Sequence, residues 1–447
     1  MQHILYQNAE QSVTLIDVPA SIAAAQGTKD RPSQATLLSV PPAQKPFVIP
    51  NEPRTAKAKA QQAVGAFDAK LTEQHESYIQ TALAEISGFY EGKWCLPRLT
   101  YHPKDTAKKR SMDDDLTDNE ESLENNGTDK VDVEDPKATD PLAALFDKLC
   151  SKESSHFELR ARDPDTGLLL QTQPRPKPLT EETFNVKWDQ WYSINHNTSN
   201  GPALLDIRRS EDPSGEIHTF ILPPQSSFSL SAAYSRRDFR GGIDQANHVF
   251  GTPKTFPLIV LDPPWPNRSA KRAHQYTTWT VKFARRILTA MDLDQLIEPN
   301  GVIAIWITNK AQIRDVVLGP DGLFEKWNVS FFEEWLYIKT TATGEPISPL
   351  DSAYRKPYES LLLARAPPHK AMTAMPVENV ATRVIVGVPD LHSRKPCLKT
   401  LFASLIDVQT GDDYQALEIF ARHCVAGWFS WGNEVLKYNS DSFWSRS

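Results

Sequence analysis

The stretch Leu258-Ile259-Val260-Leu261-Asp262-Pro263-Pro264-Trp265 joins four aliphatic residues to a rigid, polar segment. A short run of consecutive aliphatic residues is typical of a strand buried on both faces, as in a parallel sheet that helices cover on both sides. The two prolines fix the backbone and cannot donate hydrogen bonds, so they end the strand. Open α/β sheets bind ligands at the carboxyl ends of their strands. The stretch therefore predicts a buried strand with a functional site directly after it.

Apolar runs outside this stretch predict the rest of the sheet. Five more buried strands are expected, at Val302 to Ile307, Phe331 to Ile338, Leu361 to Ala364, Val384 to Val388 and Leu417 to Ala421. A turn is predicted at Asn300-Gly301, and apolar spacing predicts a helix from Tyr276 to Met291. Strands that alternate with helices favour an α/β fold with a mainly parallel sheet. No GxGxxG motif follows these strands, which argues against the usual dinucleotide-binding pattern.

The segments before residue 200 have other compositions. Short apolar stretches predict one or two strands in Met1 to Ile16. Apolar residues at helical spacing predict a helix in the region from Arg54 to about Tyr90. Leu142 to Leu149 is amphipathic, whereas Pro174 to Pro178 resists regular structure. We therefore divide the chain into a mainly helical N-terminal accessory region (1–102), an acidic disordered linker (103–140), an intermediate region (141–205) and an α/β domain (206–440).

Charge is distributed unevenly along the chain. The formal net charge is −7, but residues 111–140 carry twelve Asp or Glu against two Lys and contribute −10, which leaves +3 for the remainder. Overall charge therefore neither indicates nor excludes a nucleic-acid partner. Four cysteines without a CxxC pair give little support to a disulfide framework or a metal site. The sequence predicts no membrane span and no secretion signal.

The residues Asp262 to Trp265 suit the chemistry of an amino group that must become a nucleophile. The Asp262 carboxylate and the rigid Pro263 carbonyl are two acceptors, which match the two N–H donors of an exocyclic amine. Accepting both hydrogen bonds would localise the nitrogen lone pair and hold it about 3–3.5 Å from a methyl donor. Trp265 offers a flat face on which a base can stack. The alternative is a turn that ends a strand, with Trp265 in the core.

This tetrad resembles the DPPW signature of the MT-A70 family of adenine methyltransferases, and the surrounding residues resemble the methyltransferase-like protein 4 branch. Further blocks carry the resemblance over about residues 220–440: Leu222 to Phe228, Asn267 to Arg272, Trp306 to Asn309, Gly344-Glu345, Pro349 to Ser352, Lys356 to Glu359, His392 to Pro396, Phe420 to Arg422 and Gly427 to Glu434. The resemblance implies that residues 206–440 form a Rossmann-like, S-adenosylmethionine-dependent methyltransferase domain with its motifs in permuted order.

The resemblance also implies roles for individual residues. The catalytic site comprises Asp262, Pro263, Pro264 and Trp265. The methyl donor would be bound by Ser393, Lys395, Glu418, Phe420, Arg422, Asn433 and Glu434. The nucleic-acid substrate would be bound by a basic loop suited to phosphate contacts and by a pair that lies before a predicted strand, namely Asn267, Arg268, Lys271, Arg272, Tyr358 and Glu359. One departure is Ser231-Ala232, where the branch commonly has a Ser-Asp pair on the donor side.

The leading hypothesis is an S-adenosylmethionine-dependent N6-adenine methyltransferase of nucleic acid. RNA is favoured over DNA, because the adenine of an unpaired RNA loop enters the site at the least cost in free energy. One substrate that the resemblance implies is 2′-O-methylated adenosine of small nuclear RNA. We expect a monomer that binds no metal and no membrane, in the nucleus, with the cytoplasm and mitochondrion as alternatives. The rival hypothesis is a non-catalytic nucleic-acid-binding partner of an active methyltransferase, which the intact tetrad disfavours. Methylation of the cytosine amine is a third, less favoured hypothesis.

Overall fold

The structure of the protein is a computed structural model that describes residues 2–47, 68–101, 141–150, 157–162, 169–170, 186–187, 193–209, 215–231, 236–266, 279–352, 356–391, 394–406, 408 and 413–445. Three predicted segments lie outside the described residues: the acidic linker 103–140, the stretch Pro174 to Pro178, and the basic loop Asn267 to Arg272.

Strands and helices are numbered in chain order over the described residues. The strands are β1 (Ile4–Gln7), β2 (Val13–Ile16), β3 (Thr36–Leu37), β4 (Phe157–Arg162), β5 (Leu169–Leu170), β6 (Val186–Lys187), β7 (Ser193–His196), β8 (Ala203–Arg209), β9 (His218–Leu222), β10 (Ser227–Leu230), β11 (Phe256–Leu261), β12 (Ile297–Ile307), β13 (Ser330–Lys339), β14 (Tyr358–Arg365), β15 (Ala381–Gly387), β16 (Leu417–Ile419), β17 (Phe429–Gly432) and β18 (Trp444–Ser445). The helices are α1 (Val18–Ala24), α2 (Ala69–Phe89), α3 (Pro141–Leu149), α4 (Arg236–Phe250), α5 (Val281–Thr289), α6 (Ala311–Leu318), α7 (Leu323–Lys326) and α8 (Lys399–Phe402).

One large sheet organises the part of the chain that is described. Its eleven strands lie in the order β1-β2-β15-β13-β14-β12-β11-β16-β17-β10-β7. The run β12-β11-β16-β17-β10 is parallel throughout, and so is β2-β15-β13. Between these runs, β14 lies antiparallel to both of its neighbours. The predicted α/β fold with a mostly parallel sheet, consistent with a Rossmann-like methyltransferase, is confirmed.

The central strand β11 is buried on both faces. Leu258 and Val260 pack in one core with α1, α3 and a second, antiparallel sheet of β4, β5, β6, β8 and β9. Ile259 and Leu261 pack in another core with α4, α5 and α6. All four side chains are 6% exposed or less. This burial on both sides explains why aliphatic residues occupy consecutive positions.

The first residues of the chain belong to the large sheet. Strand β2 pairs in parallel with β15, and β1 pairs with β2, which confirms the strands predicted in Met1 to Ile16. The helix predicted between Arg54 and Tyr90 is found as α2, which packs Ile79, Ala82 and Ile86 on the same end of the sheet.

Two local predictions are wrong in detail. Asn300-Gly301 lies within β12 and does not form a turn between two elements. The register of β12 against β11 shifts at this point, and Asn300 has a left-handed φ of 60°. Asn adopts this conformation more readily than most residues, which is why the same residue type occurs in turns and in strand irregularities such as bulges. The helix predicted from Tyr276, a residue outside the described part, begins at Val281. The Thr280 side chain accepts the N–H of Phe283 and caps the helix there.

Candidate active site

The tetrad forms a fixed turn at the carboxyl end of β11. The Asp262 N–H donates to the carbonyl of Ile419 in β16 at 3.3 Å. The Pro263 carbonyl accepts the N–H of Trp265 at 2.7 Å, and the Pro264 carbonyl accepts the N–H of Trp279 at 3.1 Å. Since the prolines also restrict the backbone, these hydrogen bonds fix the main chain from which the Asp262 side chain projects.

Trp265 is a buried support of this turn. Its side chain packs in the core of α4, α5 and α6, with an exposed fraction of 4%. Its indole N–H donates to the carbonyl of Trp306 at 2.6 Å, which ties the tetrad to the end of β12. The prediction of an open Trp265 face for stacking a base is therefore wrong, because burial and this hydrogen bond fix the ring against the protein.

Lys395 is the cation at the centre of the site. Its Nζ lies 3.1 and 3.0 Å from the two carboxylate oxygens of Asp262 and 3.2 Å from Oε2 of Glu359. It also lies 5.2 Å from the centre of the Trp306 ring, which is within the range of a cation–π contact. The structure thus brings together three residues that the sequence assigned to three different roles.

The strands explain why these side chains meet. Residues two apart in a strand face the same side, so Asp262 continues the face of Val260, and Glu359 that of Leu361. Lys339, at the end of β13, shares this face and forms an ion pair with Glu359. Sequence reasoning missed Lys339, although a charged residue closing an apolar predicted strand was a usable signal.

The charges in this cluster support one another. Burial by itself raises the pKa of Glu359, but Lys339 and Lys395 outweigh it and hold that pKa well below its usual range. Burial by itself lowers the pKa of Lys395, but Asp262 and Glu359 raise it above its usual range. The lysine is charged and Glu359 is ionised at neutral pH.

Glu418, in the middle of β16, differs from the other carboxylates. Burial, followed by the negative charge of Asp262, raises its pKa from 4.5 to about 8. Glu418 is therefore mostly protonated at neutral pH and can donate a hydrogen bond. Its support of the donor site stays a prediction; the structure places it opposite Val260 of β11, near Asp262.

The remaining residues that were predicted to bind the methyl donor lie beyond the ends of β16 and β17. Phe420 has a left-handed φ of 65°, and its half-buried ring meets Trp279 edge-on at 5.2 Å. One segment, residues 420–422, follows β16, and the other, residues 433–434, follows β17. Arg422 Nε lies 3.3 Å from Oε2 of Glu434, and Asn433 is exposed. The two segments approach closely, because a Cβ on Gly432 would lie 2.6 Å from the carbonyl of Ala421.

Tyr358 does not share the site of Glu359. Consecutive residues of a strand face opposite sides, and Tyr358 is 2% exposed and packs edge-on against His75 of α2. It borders a separate cavity of about 310 Å³ between α2 and α6. The prediction that Tyr358 borders the same pocket as Glu359 is wrong for this reason.

Other predicted positions cannot be placed. Ser393, Asn267, Arg268, Lys271, Arg272 and Ala232 lie outside the described residues, whereas Ser231 is described and buried. Within the described ranges, no group of His, Cys, Asp and Glu side chains is arranged to hold a metal ion. No helix in these ranges is long and apolar enough to cross a membrane.

Comparison with known proteins agrees with this geometry. The MT-A70 family model matches residues 256–434, which include the tetrad, Lys395 and the residues predicted to bind the methyl donor. The chain is 42% identical to "N6-methyladenosine RNA methyltransferase MTA1" of Cryphonectria parasitica over 302 residues, 67% of this chain and 82% of that protein.

Two animal proteins are also similar. "N(6)-adenine-specific methyltransferase METTL4" of Homo sapiens is 33% identical over 58% of this chain and 50% of its own length. "DNA N6-methyl methyltransferase" of Caenorhabditis elegans is 27% identical over 59% of this chain and 67% of its own length.

A Rossmann-like sheet with an Asp-Pro-Pro-Trp tetrad at the carboxyl end of its central strand is typical of a methyltransferase. The chain belongs to the MT-A70 family, within which it resembles METTL4.

Proposed function

We propose that the protein is an S-adenosylmethionine-dependent methyltransferase of the N6 amine of adenine in nucleic acid. The observation that carries the proposal is the contact of Lys395 with both side-chain oxygens of Asp262, which orients a hydrogen-bond acceptor at the carboxyl end of β11. The relatives described above are named for methylation at N6 of adenine, which supports the same target for this chain.

Asp262 and Pro263 activate the amine by accepting hydrogen bonds. The Asp262 carboxylate takes one N–H. The Pro263 carbonyl uses one lone pair for Trp265 and keeps the other for the second N–H. These acceptors localise the nitrogen lone pair and stabilise the positive charge that develops on nitrogen. The amine becomes acidic only as it gains the methyl group, so Asp262 can receive the proton after transfer without being a strong base.

The donor-site residues fit S-adenosylmethionine in most respects. When bound, this donor supplies a methyl group on a positively charged sulfur. The Glu434 carboxylate and the exposed Asn433 amide provide acceptors for ribose hydroxyls, and Phe420 provides an apolar edge for an adenine. Lys395 fits less well as the partner of the donor's carboxylate, because its three N–H donors already meet Asp262 and Glu359. Its main role is to hold Asp262.

RNA is the substrate that we favour over DNA. An unpaired adenosine enters the site without the cost of leaving a duplex, and the most extensive match described above is to a protein named as an RNA methyltransferase. The proposals of 2′-O-methylated adenosine in small nuclear RNA, a monomeric enzyme and a nuclear location rest on the family resemblance alone.

The test offers a labelled methyl donor to the purified protein with matched oligonucleotides: RNA, DNA, and RNA with a 2′-O-methyl group on the target adenosine. We expect label in N6-methyladenine, more in RNA than in DNA, and none in cytosine. Asp262→Ala should abolish labelling, and thermal unfolding should show that this variant is folded. Equal labelling by Asp262→Ala would sink the mechanism. A wild-type protein that binds RNA but neither binds nor uses the donor would support the non-catalytic partner.

A further inference from the structure

Arg394, the residue directly before Lys395, is buried in a cage of specific contacts. Its side chain is 1% exposed, and its Nη1 lies 2.7 Å from Oδ2 of Asp390, whose side chain is fully buried. The same nitrogen donates to the carbonyl of Leu38 at 2.9 Å. The guanidinium is therefore held through Nη1, while its buried Nε and Nη2 have no hydrogen-bond partner among the described residues.

Aromatic rings from the end of the described chain close this cage. The Arg394 guanidinium lies 4.4 Å from the centre of the Tyr438 ring and 5.2 Å from that of Phe443. The Leu38 N–H donates to the Phe443 carbonyl at 2.8 Å, next to the pairing of β3 with β18. Arg394 therefore lies where an early and a late segment of the chain meet.

The backbone on both sides of Lys395 is held by early segments as well. Arg98 donates to the carbonyls of Val388 and Pro389, each at 2.8 Å, and Ser39 donates to Asp390. On the other side, the N–H of Cys397 donates to the Ser21 hydroxyl of α1 at 3.0 Å. Lys395 thus projects from a segment that is anchored before and after it.

We infer that Arg394 is a positioning residue for methyl transfer, which acts through Lys395. The Arg394 cage sets the backbone from which Lys395 reaches Asp262, and Lys395 in turn orients the acceptor of the amine. A shift of about 1 Å at a reacting group can cost about 100-fold in rate, so loosening the cage should slow the chemical step. Substrate binding should change little, because the contacts described for Arg394 are all with Asp390, Leu38 and the two aromatic rings of its cage. The inference rests on the proposed function.

The test compares Arg394→Met with Arg383→Met in the full chain. Arg383 is a matched control, because it also pairs with a buried carboxylate, Glu333, and lies over an aromatic ring, Trp335. In the described part of the chain, its side chain contacts Glu333 and Trp335 of β13, whereas that of Arg394 contacts the segment before Lys395. We measure kcat, KM for an RNA oligonucleotide, and the thermal midpoint, with assays run well below every midpoint.

We expect Arg394→Met to lower kcat by about tenfold or more, with a nearly unchanged KM. Arg383→Met should lower the thermal midpoint similarly and keep kcat close to wild type. Arg394→Lys should restore part of kcat, because an ammonium still pairs with Asp390. If Arg394→Met does not fold, Asp390→Asn serves in its place and should also lower kcat, by a smaller factor. Equal kcat in Arg394→Met and Arg383→Met overturns the inference, whereas an inactive wild type and inactive Arg383→Met would instead refute the proposed function.

Discussion

At the scale of single residues, Lys395 separates two carboxylates that would otherwise repel each other. Asp262 and Glu359 both have an oxygen within 3.2 Å of its Nζ, although the three residues lie on separate parts of the chain. An opposite charge at this distance favours the ionised form of a carboxylate and disfavours rotation away from the cation. The acceptor of the tetrad is therefore held in one orientation by a side chain 133 residues away.

Replacing Lys395 with methionine should lower the rate of methyl transfer by about 100-fold or more, as expected when a preorganised electrostatic group is lost. The physical reason is that Asp262 and Glu359 would repel each other and Asp262 would turn from the amine. Single-turnover assays with labelled donor measure this rate. Lys395→Arg, which keeps the charge, serves as the control and should lose less. Transfer by Lys395→Met at the rate of Lys395→Arg would contradict the role assigned to the charge.

Glu418 should make folding stability depend on pH. Its pKa is raised from 4.5 to about 8 in the folded protein, so the folded state binds a proton that the unfolded state releases. This contribution is complete below pH 4.5 and is lost as the pH rises towards 8. Denaturant unfolding between pH 5 and 8 should show the wild type losing stability relative to Glu418→Gln. Parallel stability curves for the two proteins would show that burial of Glu418 is not coupled to its titration.

At the scale of elements, most strands that sequence patterns predict are buried on both faces, but β10 and β17 are buried as well and were not predicted. β11, the end of β12, and β13 to β16 are all found, because aliphatic runs mark two-sided burial. The antiparallel direction of β14 and the addition of β2 beside β15 were not predictable, since partner strands are chosen by contacts distant in sequence. The same limit applies to the site. Asp262 and Lys395 were identified from their motifs, but their contact was not.

Helix α2 contacts a buried ion pair of the sheet through His75. Glu334 of β13 forms two hydrogen bonds with Arg314 of α6, at 2.8 and 2.7 Å, and lies 3.4 Å from Nε2 of His75 in α2. Burial by itself raises the pKa of Glu334, but His75 and Arg314 outweigh it and lower that pKa from 4.5 to about 2. The cluster therefore stabilises the fold only while Glu334 is ionised.

Glu334→Gln should lower the free energy of unfolding by about 3 kcal/mol at neutral pH, because it leaves Arg314 without its buried anion. The stabilisation by Glu334 is complete above pH 4.5 and is lost as the pH falls towards 2, so the two proteins should converge in acid. Denaturant unfolding at several pH values tests both points. Asp321→Asn is the control, since it removes the exposed ion pair with Lys326 and should have little effect. A difference that is constant with pH would exclude the charge as its cause.

At the scale of the whole molecule, segments far apart in sequence form one body around the site. β1 and β2 extend the large sheet, α2 covers one end of it, and β3 pairs with β18 near Lys395. Residues 111–140 interrupt this arrangement in the sequence and carry a net charge of −10, whereas the rest of the chain carries +3. The electrostatic repulsion between this acidic segment and a bound nucleic acid extends over about 8 Å at physiological salt and further at low salt.

Deleting residues 111–140 should therefore strengthen binding of an RNA oligonucleotide, because the segment repels phosphates or competes with them for basic residues. The gain should be largest at low salt and should shrink as screening increases. Fluorescence anisotropy over a series of KCl concentrations measures it, and kcat at saturating RNA should stay close to wild type. Replacing the acidic residues of the segment with Asn and Gln, at unchanged length, is the matched control and should give the same gain. A deletion that weakens binding, or a gain that is independent of salt, would show that the segment does not act through its charge.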